Sequence, residues 1–205
     1  SRKRVARLMK EQGLRSIRVK AGRQSCTKSV QNSYIVPNLV QQEFYADGIN
    51  QLWFTDTTFI PTHEGWLYLV TVLDSWSRQI VGWAMGLHHD AKLATDALHM
   101  AIARQRPAHG LTIHSDRGNE FANRLFAQTC ADEEITRSMS AKGKCYDNAM
   151  AESFFATLKL EAVYGRVFAT RAQARMALFD YIEVFYNRQR LHSGIGFATP
   201  ASRVA

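Results

Sequence analysis

Downstream of Asp47-Gly48, apolar residues crowd into short runs that read as strands. Residues 51–60 carry Trp53, Phe54, Phe59 and Ile60 as predicted buried positions. Pro61 is predicted to end this strand, and His63-Glu64-Gly65 to turn the chain. Residues 66–74 are nearly continuous in apolar side chains, as expected of a strand buried on both faces. A turn over 74–78 leads to a third predicted strand at 79–86. The spacing then lengthens to that of a helix at 91–105, with Leu93, Ala97, Leu98, Ala101 and Ile102 on one side and Pro107 and Gly110 as stops. A short strand at 111–114 follows, then a helix near 121–133 and a strand at 135–139. The loop 140–148 ends in Asp147 and Asn148, either suited to cap the next helix. That helix is predicted at 149–162 with Ala151, Phe154, Phe155 and Leu158 on its apolar side, and a last one at 171–187.

This order of elements predicts an α/β fold built on a mixed five-stranded sheet flanked by helices. An opening antiparallel meander argues against a purely doubly wound sheet. Residues 1–20 predict a basic helix with Val5, Leu8 and Met9 on one face, broken by Gly13. The stretch 22–38 is rich in Lys, Ser, Gln and Asn and reads as a linker. The chain divides at this level into a basic N-terminal segment and linker, 1–46, and a core with a C-terminal helical extension, 47–203.

At 205 residues and 46% hydrophobic content, one substantial core is expected. No apolar run approaches a membrane span, and no signal segment opens the chain, so a reducing cytoplasm is the expected setting. The chain starts at Ser1 inside a basic pattern and is read as part of a longer protein. Cys26, Cys130 and Cys145 are odd in number and lack metal-ligand spacing, so each is read as a buried or partly buried thiol.

Net charge is +8, unevenly spread. Residues 1–31 hold ten Lys/Arg against one acid, 32–136 six against twelve, and 137–205 ten against five. Basic ends around an acidic middle suit a chain that grips a polyanion and holds cations between.

The acidic middle, with the helix that follows it, contains the candidate chemistry. Asp56 falls inside an apolar strand, Asp116 at the end of another, and Glu152 one turn into a helix. Thirty-five residues, 117 to 151, separate the last two. A carboxylate among apolar residues is costly unless a partner compensates it, and divalent cations prefer such hard oxygen ligands. If the first and fourth strands are neighbours, the two aspartates converge. Two Mg²⁺ or Mn²⁺ ions could then activate a water or 3′ hydroxyl and stabilise the leaving oxygen.

Lys159 lies seven residues after Glu152, on the same helix face, and suits a DNA phosphate or base edge. The basic loop Lys142-Gly143-Lys144 suits a phosphate backbone. Lys159, Lys142, Lys144 and Asn148 are the expected DNA contacts. Asp74, Asp90 and Glu120 read as turn or cap residues, and His114 as a core histidine. His88 and His89 do not read as a ligand pair, since neighbours in a strand face opposite ways. No nucleophile elbow or phosphate-cradling glycine loop is present.

The chain resembles the bacterial insertion-sequence transposases with a retroviral-integrase-type core. The matching stretches are Trp53-Phe54-Thr55-Asp56-Thr57-Thr58-Phe59-Ile60, His114-Ser115-Asp116-Arg117-Gly118-Asn119-Glu120-Phe121, and Ser138-Met139-Ser140 through Asp147-Asn148-Ala149 to Glu152. A fourth is Tyr186-Asn187-Arg188-Gln189-Arg190-Leu191-His192-Ser193, closing with Thr199-Pro200. The resemblance implies a ribonuclease H-like fold and an Asp-Asp-Glu triad of Asp56, Asp116 and Glu152, followed by a basic position at Lys159. It also implies divalent-metal dependence and DNA cleavage with strand transfer at insertion-sequence ends. Partners would be end and target DNA and further copies of the chain assembled on DNA. The basic start is similar to the tail of the helix-turn-helix region that precedes such cores. The competing readings are a ribonuclease H-like nuclease acting on RNA–DNA hybrids or junctions, and a non-catalytic DNA-binding assembly module.

Overall fold

The computed structural model describes residues 1–14, 34–142 and 145–204. Its sheet has the order β3-β2-β1-β4-β5. β1 (Leu52–Thr62), β2 (Gly65–Asp74) and β3 (Ile80–Gly86) form the antiparallel meander. β4 (Thr112–Ser115) and β5 (Thr136–Met139) add parallel strands on the far side of β1. α1 (Arg2–Glu11) precedes the sheet and buries none of its residues.

Pro61 does not end β1, which runs on to Thr62. β4 pairs only with Leu52, Trp53 and Phe54. Among the described residues, the rest of that edge meets no other strand of the sheet, only an isolated bridge from Thr62 to Phe168, and a proline without its N–H fits such an edge.

Side-chain alternation splits the interior into two layers. Trp53, Val70, Val72 and Val81 pack under α2 (Ala91–Gln105) and α3 (Arg124–Asp132). Gly82 lets α2 come close: a Cβ there would lie 2.4 Å from the Ala97 carbonyl oxygen. Phe54, Ile60, Leu67, Leu69 and Leu73 pack on the opposite face under α4 (Ala149–Leu158) and α5 (Arg171–Phe179). β2 contributes to both layers, as its nearly continuous apolar run predicts. α4 and α5 continue as π-helical turns, Lys159–Val163 and Asp180–Tyr186. α6 (Pro200–Val204) closes the described chain.

Residues 34–46 are not a free linker. The Met139 N–H donates to the Pro37 carbonyl, the Leu39 N–H donates to Ser138 Oγ, and Val40 is buried. Asn38 and Gln42 both donate to Asp147. The segment is a strap across the end of β5 that reaches the loop before α4. The expected linker residues 22–33, the end of the predicted first helix, and Cys26 lie outside the described residues.

Cys130 is buried, and burial pushes its thiol up to about 12. It is therefore a packed thiol and not a nucleophile. Among the described residues, no helix is long and apolar enough to cross a membrane.

Candidate active site

The parallel pairing of β1 with β4 sets Phe54 opposite His114. Two residues further along the chain from each stand Asp56, still in β1, and Asp116, just past the end of β4, and the two aspartates are electrostatic neighbours. Both are half-buried. The Thr57 N–H donates to Asp56 Oδ1 at 2.7 Å, and the Gly118 N–H donates to Asp116 Oδ1 at 2.8 Å. Each bond fixes one oxygen of its carboxylate.

Glu152 lies in the first turn of α4 and is exposed. Helices tolerate acids there because the N-terminal end carries partial positive charge. Its charge is felt at both aspartates. Asp56 is pushed well above the usual carboxylate range, first by burial and then by Asp116, with Glu120 and Glu152 adding to it. Asp116 is pushed up to about 6, by burial and by Glu120, and Glu152 contributes. Glu152 is itself raised by burial. Three predicted acids are thus brought into one electrostatic neighbourhood.

Glu120 joins them. The turn after Asp116 folds back tightly, with Phe121 and Ala122 both donating to the Gly118 carbonyl. Glu120 is 4% exposed, which is extreme for a carboxylate. Its Oε1 accepts from Thr57 Oγ1 at 2.9 Å and lies 2.5 Å from His89 Nε2. His89 stacks on Tyr68 at 5.5 Å, and the Glu120 bond holds its pKa up. A turn or cap role for Glu120 is therefore corrected to a buried carboxylate behind the aspartates. The signal in the sequence was its place four residues after Asp116.

Asp74 and Asp90 do take the structural roles predicted. Asp74 accepts from Ser77 and from the Asn50 N–H, and Asp90 caps α2 through the Leu93 N–H. His114 is a core histidine: its ring nitrogens lie against Ser138 Oγ and Ser140 Oγ, and burial lowers its pKa to about 4.

The expected DNA contacts divide. Lys159 is exposed, with Nζ 5.2 Å from the centre of the Phe59 ring, three residues along β1 from Asp56. Lys142 is exposed, and Lys144 lies outside the described residues. Asn148 is buried, not superficial. Its Nδ2 donates to the Thr55 carbonyl at 3.2 Å, and it makes no side-chain cap bond to α4. Its amide ties α4 to β1 and offers no surface to DNA.

Among the described residues, no three His, Cys, Asp or Glu side chains stand close enough together to hold a metal ion. The donor set nevertheless fits a hard divalent cation in its chemistry. Two neighbouring carboxylates have raised pKa values, the exposed Glu152 adds its charge from the first turn of α4, and a fourth, buried carboxylate, Glu120, adds to both. A cation relieves the repulsion among them.

Two integrase core domain family models match the chain, over residues 46–145 and 133–200. Transposase InsF for insertion sequence IS3A of Escherichia coli K12 is 42% identical over 97% of this chain and 68% of its own length. The transposase of insertion sequence element IS904 from Lactococcus lactis is 43% identical over 80% of this chain and 65% of its own length. Among solved structures, the HTLV-2 integrase catalytic core in complex with magnesium superposes with a TM-score of 0.56. It is 15% identical, over 77% of this chain and 98% of that one. The shared fold is the ribonuclease H-like fold of retroviral integrase cores. With the carboxylates on its β1 and β4 edge and this identity to InsF, the chain belongs to the family of bacterial insertion-sequence transposases with an integrase-type catalytic core.

Proposed function

We propose that the chain cleaves DNA at insertion-sequence ends and transfers the cut strand to target DNA, with Asp56, Asp116 and Glu152 as the metal-holding triad. The observation that carries this reading is the parallel register of β1 and β4, which sets Asp56 beside Asp116 with Glu152 in electrostatic reach. The magnesium in the HTLV-2 integrase core supports the choice of Mg²⁺, with Mn²⁺ as its usual substitute. Such ions supply Lewis acidity at the scissile phosphate and a lowered pKa for the attacking hydroxyl.

The chain's own residues do the rest. Thr57 and Gly118 fix one oxygen of each aspartate, so the carboxylates are oriented before a cation or DNA arrives. Glu120 adds negative charge from a buried position and raises the demand for a cation. Exposed Lys159 lies on the DNA-facing side of this reading and receives a phosphate. Copies of the chain assemble on paired ends.

The test is an assay on duplexes carrying the sequences that flank the chain's own gene, with Mg²⁺ present. Wild type is expected to nick the ends and join them to a target. Asp56→Asn, Asp116→Asn and Glu152→Gln are each expected to lose more than about 100-fold of this activity, exceeding what loss of an outer-shell partner costs, while binding DNA normally. Full activity in any of the three, or cleavage of an RNA–DNA hybrid in preference to the ends, contradicts the reading.

A further inference from the structure

The stretch 186–193 is the part of the sequence pattern to which the carboxylate site gives no role. It follows the second π-helical turn and folds against the flank of α4. The Tyr186 ring meets Phe154 edge-on at 4.8 Å and His192 at 4.7 Å. Between this stretch, α4 and the β2–β3 turn lies a recess of about 280 Å³. Arg78, Arg190 and His192 line it, with the hydroxyl-bearing Ser153, Thr157 and Ser193. No carboxylate is among its lining residues. Ser153, on its wall, directly follows Glu152 on α4.

The basic groups are held in place. Arg190 Nε lies 3.0 Å from both oxygens of Glu161, and Nη2 lies 3.0 Å from Oε1, which fixes the plane of the guanidinium. Its Nη1 faces His192 Nδ1 at 3.5 Å. The ring also meets the Tyr186 backbone carbonyl, which with Arg190 fixes its orientation. Burial first, and Arg190 next, keep that ring neutral, with its pKa lowered to about 4. Arg78 is held with a left-handed backbone, φ 65°, and its Nη1 against Met150 Sδ. Of the residues that line this recess, two hold a buried nitrogen without a partner, the Arg78 Nε donor and His192 Nε2. A buried guanidinium N–H is rarely left so, and an acceptor-only anion satisfies it.

We propose that this recess binds a phosphate group of the DNA backbone, a second one beyond the phosphate at the triad. The proposal rests on the reading that the chain acts on DNA. A phosphodiester carries only acceptors, matches the planar arginine fork, and takes further bonds from the hydroxyls. Free phosphate shares this chemistry, so the test separates the two.

Binding to end duplexes is measured by fluorescence anisotropy without divalent metal, which makes it independent of the triad's chemistry. Each backbone phosphate is replaced in turn by a neutral methylphosphonate. One position is expected to weaken wild-type binding about tenfold. Arg78→Gln is expected to bind about tenfold more weakly, to lose about one unit of salt slope, and to be insensitive to that position. Thr157→Glu, which places a carboxylate at the recess while leaving the arginines intact, is expected to reproduce the loss with unchanged thermal unfolding. The proposal is overturned if both variants bind like wild type, or if Arg78→Gln keeps the full penalty at every position. It is overturned equally if inorganic phosphate alone shifts the His192 Nε2 resonance while no methylphosphonate position stands out. A chain that shows the coupling yet never cuts its ends refutes the transposase reading and not this one. A chain that binds no DNA refutes both.

Discussion

Thr57 donates its hydroxyl to the buried Glu120 carboxylate across 2.9 Å, one residue along β1 from Asp56. This bond couples the strand that carries the first aspartate to the turn that follows the second. Glu120 thereby acts on both: by position through Thr57, and by charge through the raised pKa values. Glu120→Gln keeps an acceptor for Thr57 and removes the charge. It is expected to weaken Mn²⁺ binding roughly 10- to 100-fold, the usual range for outer-shell partners, and to leave the thermal midpoint equal or higher. Calorimetric titration with an end duplex present measures the first, and a melting curve the second. Unchanged Mn²⁺ affinity would leave Glu120 as a packing group.

Gly118 is where the two acids crowd most. A Cβ there would stand 2.4 Å from Glu120 Oε2 and 2.9 Å from Asp116 Oδ1. Gly118→Ala must displace at least one carboxylate that hydrogen bonds now hold. The expected result is strand-cleavage activity reduced at least about tenfold for a stability cost of about 1–3 kcal/mol, the range for overpacking a filled site. Denaturant melts and single-turnover cleavage separate the two effects.

Asp116 gives a pH signature in the absence of metal. Its pKa stands at about 6 in the folded chain against 3.8 as the reference. The stability it contributes is complete below about pH 4 and is lost as pH rises through about 6, an upper bound of roughly 3 kcal/mol. Asp56 is raised in the same direction. With divalent cations chelated, wild type is expected to gain stability from pH 7 down to pH 4 relative to Asp116→Asn. At pH 7, added Mg²⁺ is expected to raise the melting temperature of wild type and not of Asp56→Asn. Melting curves of wild type and both variants, run across this pH range and with Mg²⁺, check these expectations.

Asn187, in the motif after α5, has a structural role distinct from the arginines beside it. Its buried amide donates to the Ile80 carbonyl and accepts from the Ile80 N–H, at 3.0 and 2.9 Å. It thereby joins the C-terminal helices to the start of β3. Asn187→Ala leaves both groups of Ile80 without that partner and is expected to cost about 2–4 kcal/mol, from one to two unmet buried bonds. Equilibrium denaturation checks it. Arg78→Gln is expected to reduce DNA affinity with a much smaller change in stability.

The sequence discloses the frame of this site better than its depth. Apolar runs and helical spacing mark the five strands and the helices over the sheet, because burial imposes those periods locally. Asp56 and Asp116 stand out as acids in apolar strands, and their convergence needs only β1 and β4 to be neighbours. Glu120 does not stand out, because its partners Thr57 and His89 are remote in sequence and the tight turn at Gly118 brings it inward. Asn148 and residues 34–38 look like surface on composition alone. Asn148 Nδ2 is in fact spent on the Thr55 carbonyl, the Pro37 carbonyl on Met139, the Asn38 amide on Asp147 and the next residue's N–H, Leu39, on Ser138. Polar residues that satisfy distant backbone cannot be told from solvated ones without the fold.

The most direct test is a crystal structure with Mn²⁺ and a cut insertion-sequence end, read by anomalous scattering. Manganese bound by Asp56 and Asp116, with Glu152 turned in to join them, is the predicted result. Manganese absent from these two aspartates, with the scissile phosphate positioned elsewhere on the chain, would contradict it.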